Sequence, residues 1–177
     1  MRRSLCLAAL SAILLGNAGC AAGKIHERSY LRAVSVSEKD GIGLTMRLFS
    51  AEEAVTASGS SIDEAKNRAE LLTGEPMFTG YTELLVVDGR DCRDILGHML
   101  NEWKVSPSCM VVCSSDGRAL LEQNDAELLM GMTEQAVKQG IAPECDVITV
   151  LTELCSSGCA EVAELSADGS VSSAVIS

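Results

Sequence analysis

Apolar and polar residues alternate near the start of the chain in the way that half-buried strands require. The segment from Tyr30 to Val36 predicts one strand, and Asp40-Gly41 predicts a turn because this pair tolerates positive φ. A second strand is predicted where Leu44, Met46 and Leu48 alternate with polar residues. Together the two strands indicate an N-terminal β-hairpin.

Helical periodicity follows in two segments, which flank a short apolar strand from Glu83 to Val87. Ser61 and Glu64 form a capping box ahead of the first helix, and Gly74 suits its end. Its predicted buried face comprises Ile62, Ala65, Ala69 and Leu72. The second helix carries a full amphipathic stripe of apolar residues. That stripe consists of Cys92, Ile95, Leu96, Met99, Leu100 and Trp103.

The C-terminal half continues to mix strands and helices. A strand is predicted from Cys109 to Cys113, a short helix from Ala119 to Gln123 and a longer helix from Asp125 to Lys138. The longer helix is predicted to bury Leu128, Leu129, Met132 and Ala136. Glu161 to Leu165 and Val171 to Ile176 flank an Asp-Gly turn and predict a closing hairpin.

The segment after Pro143 fits two structures. Its Val-Ile-Thr-Val run favours a strand by propensity. A helix is predicted instead because Pro143 suits a helix start and a helical face can be drawn through the apolar positions. Those positions are Val147, Ile148, Leu151, Leu154 and Cys155. We therefore expect residues 29–177 to form a single α+β domain, with a mixed β-sheet, hairpins at both ends and four to five helices packed on it.

The first nineteen residues have the pattern of an export signal. Two arginines precede an apolar run from Leu5 to Leu15, which is too short to span a bilayer as a helix. Ala18-Gly19-Cys20 is similar to a lipobox, the motif in which the cysteine becomes lipidated and N-terminal. Asn17 stands where lipoboxes usually have Leu, so ordinary secretion with Cys20 as a spare thiol is the alternative. Residues 20–28 are then the lipidated cysteine and a tether.

The charge of the chain restricts its partners. Without residues 1–19 the chain has 12 basic and 25 acidic residues, a net charge of −13. Such a charge argues against nucleic acid as a partner and against electrostatic docking on anionic lipid. A membrane attachment would therefore depend on lipid chains at Cys20, and stable anchoring needs more than one chain.

Candidate chemistry is sparse, and we predict no catalytic residue, metal or cofactor. His26 and His98 are expected to be solvated. Cys109 and Cys113 are four residues apart on a strand, roughly 13 Å, which is too far for two ligands of one zinc ion, so they are expected to fill a core face. Cys155 and Cys159 straddle a helix end, where either a local disulfide or two free thiols would fit.

The order of several segments along the chain indicates a protein family, which no single segment does. The chain resembles the N-terminal domain of the C subunit of bacterial spore germinant receptors, the Ger(x)C lipoprotein family. The segments that carry the resemblance are Glu27–Val36, Lys39-Asp40-Gly41, Ser61–Ala65, Phe78–Val87, Met99–Trp103 and Met110–Cys113. The resemblance covers about Lys24 to Ser177. Family members are about twice as long and carry two further domains.

This resemblance implies a non-catalytic role in spore germination. The chain would be a lipid-anchored subunit or accessory on the extracytoplasmic face of a membrane, the inner membrane of the spore if the organism sporulates. Its partners would be the membrane-spanning A and B subunits of a germinant receptor, which it would contact as a protein. The alternative is an envelope solute-binding lipoprotein unrelated to spores.

Overall fold

A computed structural model describes residues 28–38, 41–89 and 91–177. The predictions for the export signal at 1–19, for Cys20, for His26 and for the tether up to residue 27 lie outside these residues. None of the described helices is long and apolar enough to cross a membrane.

Eight strands form one mixed sheet in the described part of the chain. They are β1 (Ser29–Ser37), β2 (Ile42–Leu48), β3 (Val55–Gly59), β4 (Met77–Phe78), β5 (Leu84–Val87), β6 (Met110–Cys113), β7 (Ala160–Leu165) and β8 (Val171–Ile176). The order across the sheet is β3-β2-β1-β5-β6-β7-β8, and the short β4 pairs with the start of β1. Strands β1, β5, β6 and β7 run parallel, while the pairs at both edges are antiparallel.

Five described helices cover this sheet. They are α1 (Ile62–Thr73), α2 (Cys92–Asn101), α3 (Gly117–Gln123), α4 (Ala126–Lys138) and α5 (Val147–Ser157). The predicted N-cap is present, because the Ser61 side chain accepts the Glu64 N–H. The Glu64 carboxylate accepts the N–H of Ser60, one residue before the N–H that a capping box uses. The predicted α+β fold with a mixed sheet is confirmed, and the segment after Pro143 is a helix.

Successive side chains of the central strands point to opposite faces of the sheet, so a hydrophobic core forms on each face. Leu85 and Val87 point to one face with helices α1, α2 and α5, while Leu84 and Val86 point to the other with α3 and α4. Strand β5 is therefore buried on both sides, as its unbroken apolar run indicates.

Three helix faces differ from their prediction. Leu72, Leu128 and Ile148 are 70%, 54% and 45% exposed, and Cys155 is also exposed. Leu128, Ile148 and Cys155 each adjoin another apolar position, and a period of 3.6 residues turns only one of two neighbours fully towards the sheet. Leu72 differs, because its neighbour Leu71 is also exposed and both lie near the end of α1. Helix α5 instead buries Val147, Val150 and Leu154, whereas α4 buries Ala126, Leu129, Thr133 and Ala136.

Two strands were missed. Strand β3 turns the predicted N-terminal hairpin into a three-stranded meander, in which Met46 pairs with Val55. Strand β4 has only two residues and pairs Tyr30 with Phe78. This second pairing is important for the site below because it brings two aromatic residues together at the start of β1.

Candidate functional site

An open groove of about 800 Å³ lies where the parallel strands β1, β5 and β6 begin. Tyr30 stands at the start of β1, Phe49 directly follows β2, and Tyr81 lies in the turn before β5. Met110, the first residue of β6, and Met130 of α4 line the remaining walls. We call this feature the aromatic groove.

In a chain that is only 3% aromatic, both tyrosines and Phe49 line the aromatic groove, and Phe78 packs against the two tyrosine rings. The ring centroids of Tyr30, Phe78 and Tyr81 are 5.3 to 5.8 Å apart in tilted and edge-to-face arrangements. Each such aromatic pair stabilises the fold by about 0.5–1.5 kcal/mol, in addition to the effect of burying the ring surfaces. Tyr81 and Phe49 nevertheless remain 63% and 50% exposed, so much of this aromatic surface faces outward.

Glu83 is the only charged side chain among the described residues that line the groove. Its carboxylate accepts a hydrogen bond of 2.9 Å from Arg32 Nε, and this bond is the main reason why the pKa of Arg32 is raised. The Arg32 guanidinium also lies over the Phe49 ring, 5.2 Å from its centroid. Glu127 and Asp125 approach the same guanidinium from α4 and its N-cap, at 3.4 and 3.9 Å.

The small polar side chains of the groove, those of Thr82, Ser106 and Ser108, are already hydrogen-bonded within the protein. Thr82 Oγ1 donates to the Thr79 carbonyl at 2.7 Å, and the hydroxyls of Ser106 and Ser108 share a bond of 2.8 Å. The thiol of Cys109 lies below the groove surface, where burial raises its pKa far above the ordinary value. The groove therefore offers mainly rings and thioethers to whatever contacts it.

Two exposed leucines lie near the start of β1, the strand end at which the groove opens. Leu71 and Leu72, 82% and 70% exposed, lie at the end of α1, whose following turn leads into β4. That turn holds the start of β1, because the Ser29 N–H donates to the Pro76 carbonyl and the Ser29 hydroxyl donates to Glu75. The leucine pair is thus close to the point where the chain enters the sheet.

His98 is not the solvated residue that we predicted. Its Nε2 lies 3.1 Å from Asp63 Oδ1 of α1, and its side chain is 26% exposed. The same carboxylate oxygen accepts the Trp103 Nε1–H at 3.0 Å. Burial opposes ionisation of Asp63, but the hydrogen bonds from Trp103 and His98 outweigh it and lower its pKa. This cluster joins α1 to α2 and the turn that follows it.

Four carboxylates gather beyond the carboxyl ends of β1 and β5, a cluster that the sequence analysis missed. The pKa of Glu38 is raised, mainly by burial and secondly by a hydrogen bond with Asp91. The negative charges of Asp88 and Asp94 add to this effect. Asp88 also accepts the Glu38 N–H at 3.3 Å.

The cysteines behave as core residues and surface thiols. Cys109 and Cys113 are buried in the same core, as predicted. Cys155 and Cys159 are free and exposed, which decides between the two alternatives for this pair. Within residues 28–38, 41–89 and 91–177, no group of three or more His, Cys, Asp and Glu side chains is arranged to hold a metal ion.

The aromatic groove was not predicted, although one signal for it was present. Tyr30, Phe49, Phe78 and Tyr81 all lie at or beside strand ends, but only the parallel pairing of β1 with β4 and β5 brings them together. Comparison with protein-family models, curated proteins and solved structures finds no match to this chain.

Proposed function

We propose that this protein is a lipoprotein held on the extracytoplasmic face of a membrane through Cys20. The observation that carries the proposal is the export pattern ending in Ala18-Gly19-Cys20, and eight residues separate Cys20 from the first strand at Ser29. The net charge of −13 after residue 19 disfavours electrostatic attachment to anionic lipid, so the acyl chains on Cys20 provide the attachment.

Within this class, we propose a subunit or accessory similar to the C subunit of spore germinant receptors. Support comes from the order of the segments that resemble that family. Where the structure describes them, these segments fall on β1, the residue before β2, α1, the stretch from β4 to β5, the end of α2, and β6. The protein acts without catalysis, by contacting the membrane-spanning A and B subunits of the receptor.

A second candidate is an envelope lipoprotein that binds a small solute. The volume of the aromatic groove, about 800 Å³, favours it because pockets for small ligands measure roughly 300–1,000 Å³. The bonded state of Thr82, Ser106 and Ser108 counts against it, since a solute site needs polar groups that turn towards the ligand. Saturable binding of a solute by wild type, abolished by Tyr81→Ala, would favour this candidate.

The anchor is tested with Cys20→Ala in the full chain, expressed in a bacterium that processes lipoproteins. We expect wild type to incorporate a labelled fatty acid and to fractionate with membranes, and Cys20→Ala to do neither. Cys159→Ala is the matched control, because it also removes one thiol but lies on the exposed surface of the domain. Unchanged membrane fractionation of Cys20→Ala would overturn the anchor.

The receptor role is tested separately. Affinity-tagged full-length protein, solubilised from membranes of the sporulating host, should co-purify with a multi-span receptor subunit. Spores that lack the protein should respond more slowly to a germinant. Normal germination together with the absence of any multi-span partner would contradict the receptor role but leave the anchor untouched.

A further inference from the structure

We propose that the aromatic groove and the Leu71–Leu72 pair form a bilayer-facing surface, which seats the start of the parallel strands in the lipid headgroup region. This inference rests on the lipid anchor proposed above and adds an orientation for the domain. The occupant of the surface is the phospholipid interface itself rather than a protein partner.

The length of the tether limits how far this surface can lie from the membrane. Eight residues, 21–28, separate Cys20 from Ser29. Even fully extended, that stretch spans at most roughly 30 Å. Ser29 opens β1, and Tyr30, the next residue, lines the aromatic groove. The anchored chain therefore enters the domain beside the proposed surface.

The chemistry of the surface suits the interface between headgroups and acyl chains. Tyrosine is enriched at that depth because its ring is apolar while its hydroxyl remains hydrated. Tyr81, Phe49, Leu71 and Leu72 are each at least half exposed, which is costly for large apolar side chains in water. Contact with lipid would remove that cost for all four residues, although they come from separate segments of the chain.

The charges around the surface also permit a close approach to lipid. In a chain with 22% charged residues, Glu83 is the only one among the described residues that line the groove, and Arg32 is bonded to it. Next to the leucine pair, the Glu75 carboxylate accepts the Ser29 hydroxyl. Within the groove lining, only the Glu83 carboxylate would have to lose water when the surface meets the headgroups, and it is paired with Arg32.

The test uses a tryptophan reporter in the full lipidated chain. Tyr81→Trp is purified from membranes and reconstituted into phosphatidylglycerol/phosphatidylethanolamine vesicles, with or without bromine on the acyl chains. We expect the added emission to shift to the blue and to fall by about half in the brominated vesicles. The native Trp103 provides the baseline because it is buried and bonded to Asp63. Phe49→Trp is a second reporter on the same surface, should Tyr81→Trp fold poorly.

Two controls make the result specific. Arg118→Trp places the reporter on α3, just beyond the carboxyl end of β6, and should not be quenched. Changing Leu71 and Leu72 to Gln should weaken the quenching of Tyr81→Trp. Val175→Thr, at a comparably exposed apolar position on the edge strand β8, should leave it unchanged.

The possible failures are distinguishable. If the protein floats with the vesicles while Tyr81→Trp and Phe49→Trp stay unquenched, the bilayer-facing surface is wrong and the anchor stands. If these reporters shift to the blue only when a multi-span subunit is co-reconstituted, the surface is a protein contact and the proposal is also overturned. If the purified protein does not float at all, the anchor itself fails.

Discussion

The rings of Tyr30 and Tyr81 lie with their centroids 5.8 Å apart, although Tyr30 is the second residue of β1 and Tyr81 precedes β5. The parallel pairing of these two strands creates this contact, and Phe78 on β4 completes the aromatic cluster. The groove is therefore a product of the sheet topology. Because β1 is also the strand that the N-terminal segment enters, the cluster lies at the end of the domain nearest to Cys20 in sequence.

Gly59 allows α1 to pack closely on β3, and Gly59→Ala should destabilise the fold. A Cβ at this position would lie 2.7 Å from the Ala65 backbone nitrogen, so the backbone would have to move. We expect a loss of about 1–3 kcal/mol in the free energy of unfolding, measured by urea denaturation. Gly97→Ala is the matched control, because nothing lies within 4 Å of its Cβ and alanine favours the helix. A loss of similar size in both variants would contradict this explanation.

The carboxylate of Asp63 should hold α1 against the turn after α2. Asp63→Ala removes the acceptor for the Trp103 indole and the partner of His98, and we expect a loss of about 1 kcal/mol, moderated by the exposure of the site. Asp63→Asn keeps an oxygen acceptor and should lose less. The two variants are compared by thermal and urea unfolding, and equal losses would show that the hydrogen bonds contribute little.

Glu38 should make stability fall as the pH rises. Burial, together with its acidic neighbours, raises its pKa in the folded protein above the unfolded value. Its protonated form is thus favoured by folding, and that contribution is lost as the pH rises through the folded pKa. Glu38→Gln should stabilise the protein at neutral pH, by up to about 1 kcal/mol, and have little effect below about pH 4. Glu52→Gln, at an exposed loop position, is the matched control for the change from carboxylate to amide.

Five of the six thiols in the described part of the chain should divide into two groups when they react with iodoacetamide. Cys155 and Cys159 are exposed and should be modified in the native protein. Burial raises the pKa of Cys92 to about 12 and that of Cys113 to about 11, and Cys109 is buried in the same core. These three thiols should react only after denaturation, because the thiolate is the nucleophile and the side chains are covered. Peptide mass mapping identifies the modified residues, and rapid native modification of Cys109 would contradict this placement.

Much of the fold could be predicted because its elements carry strong local patterns. The unbroken apolar run at Leu84–Val87 indicates a buried strand, and the N-cap residue Ser61 marks the start of α1. Strand β3 could not be predicted in this way. Its Val-Thr-Ala-Ser-Gly sequence has little periodicity, and pairing with β2 and packing of α1 stabilise it. The buried face of α5 was only partly predicted. Val147 and Ile148 are adjacent and both apolar, so the sequence alone does not show that only Val147 is buried.

The candidate site could be predicted less well, because its contacts join residues that are distant in sequence. Asp63 meets His98 and Trp103 only after α1 and α2 pack on the same face of the sheet. Phe49 and Tyr81 each look like an isolated surface aromatic until the strands pair. Cys20 is the opposite case, since its proposed role rests on a local sequence motif, and the residue lies outside the described part of the chain.

The most direct test of the central claim is the mass of the N-terminal peptide of the mature protein, isolated from membranes. We predict that this peptide begins at Cys20 and carries the added mass of a diacylglycerol group with its fatty acids. A mature chain in which Cys20 is unmodified, or which still retains residues 1–19, would contradict the lipid anchor. The orientation proposed for the aromatic groove would then fail with it.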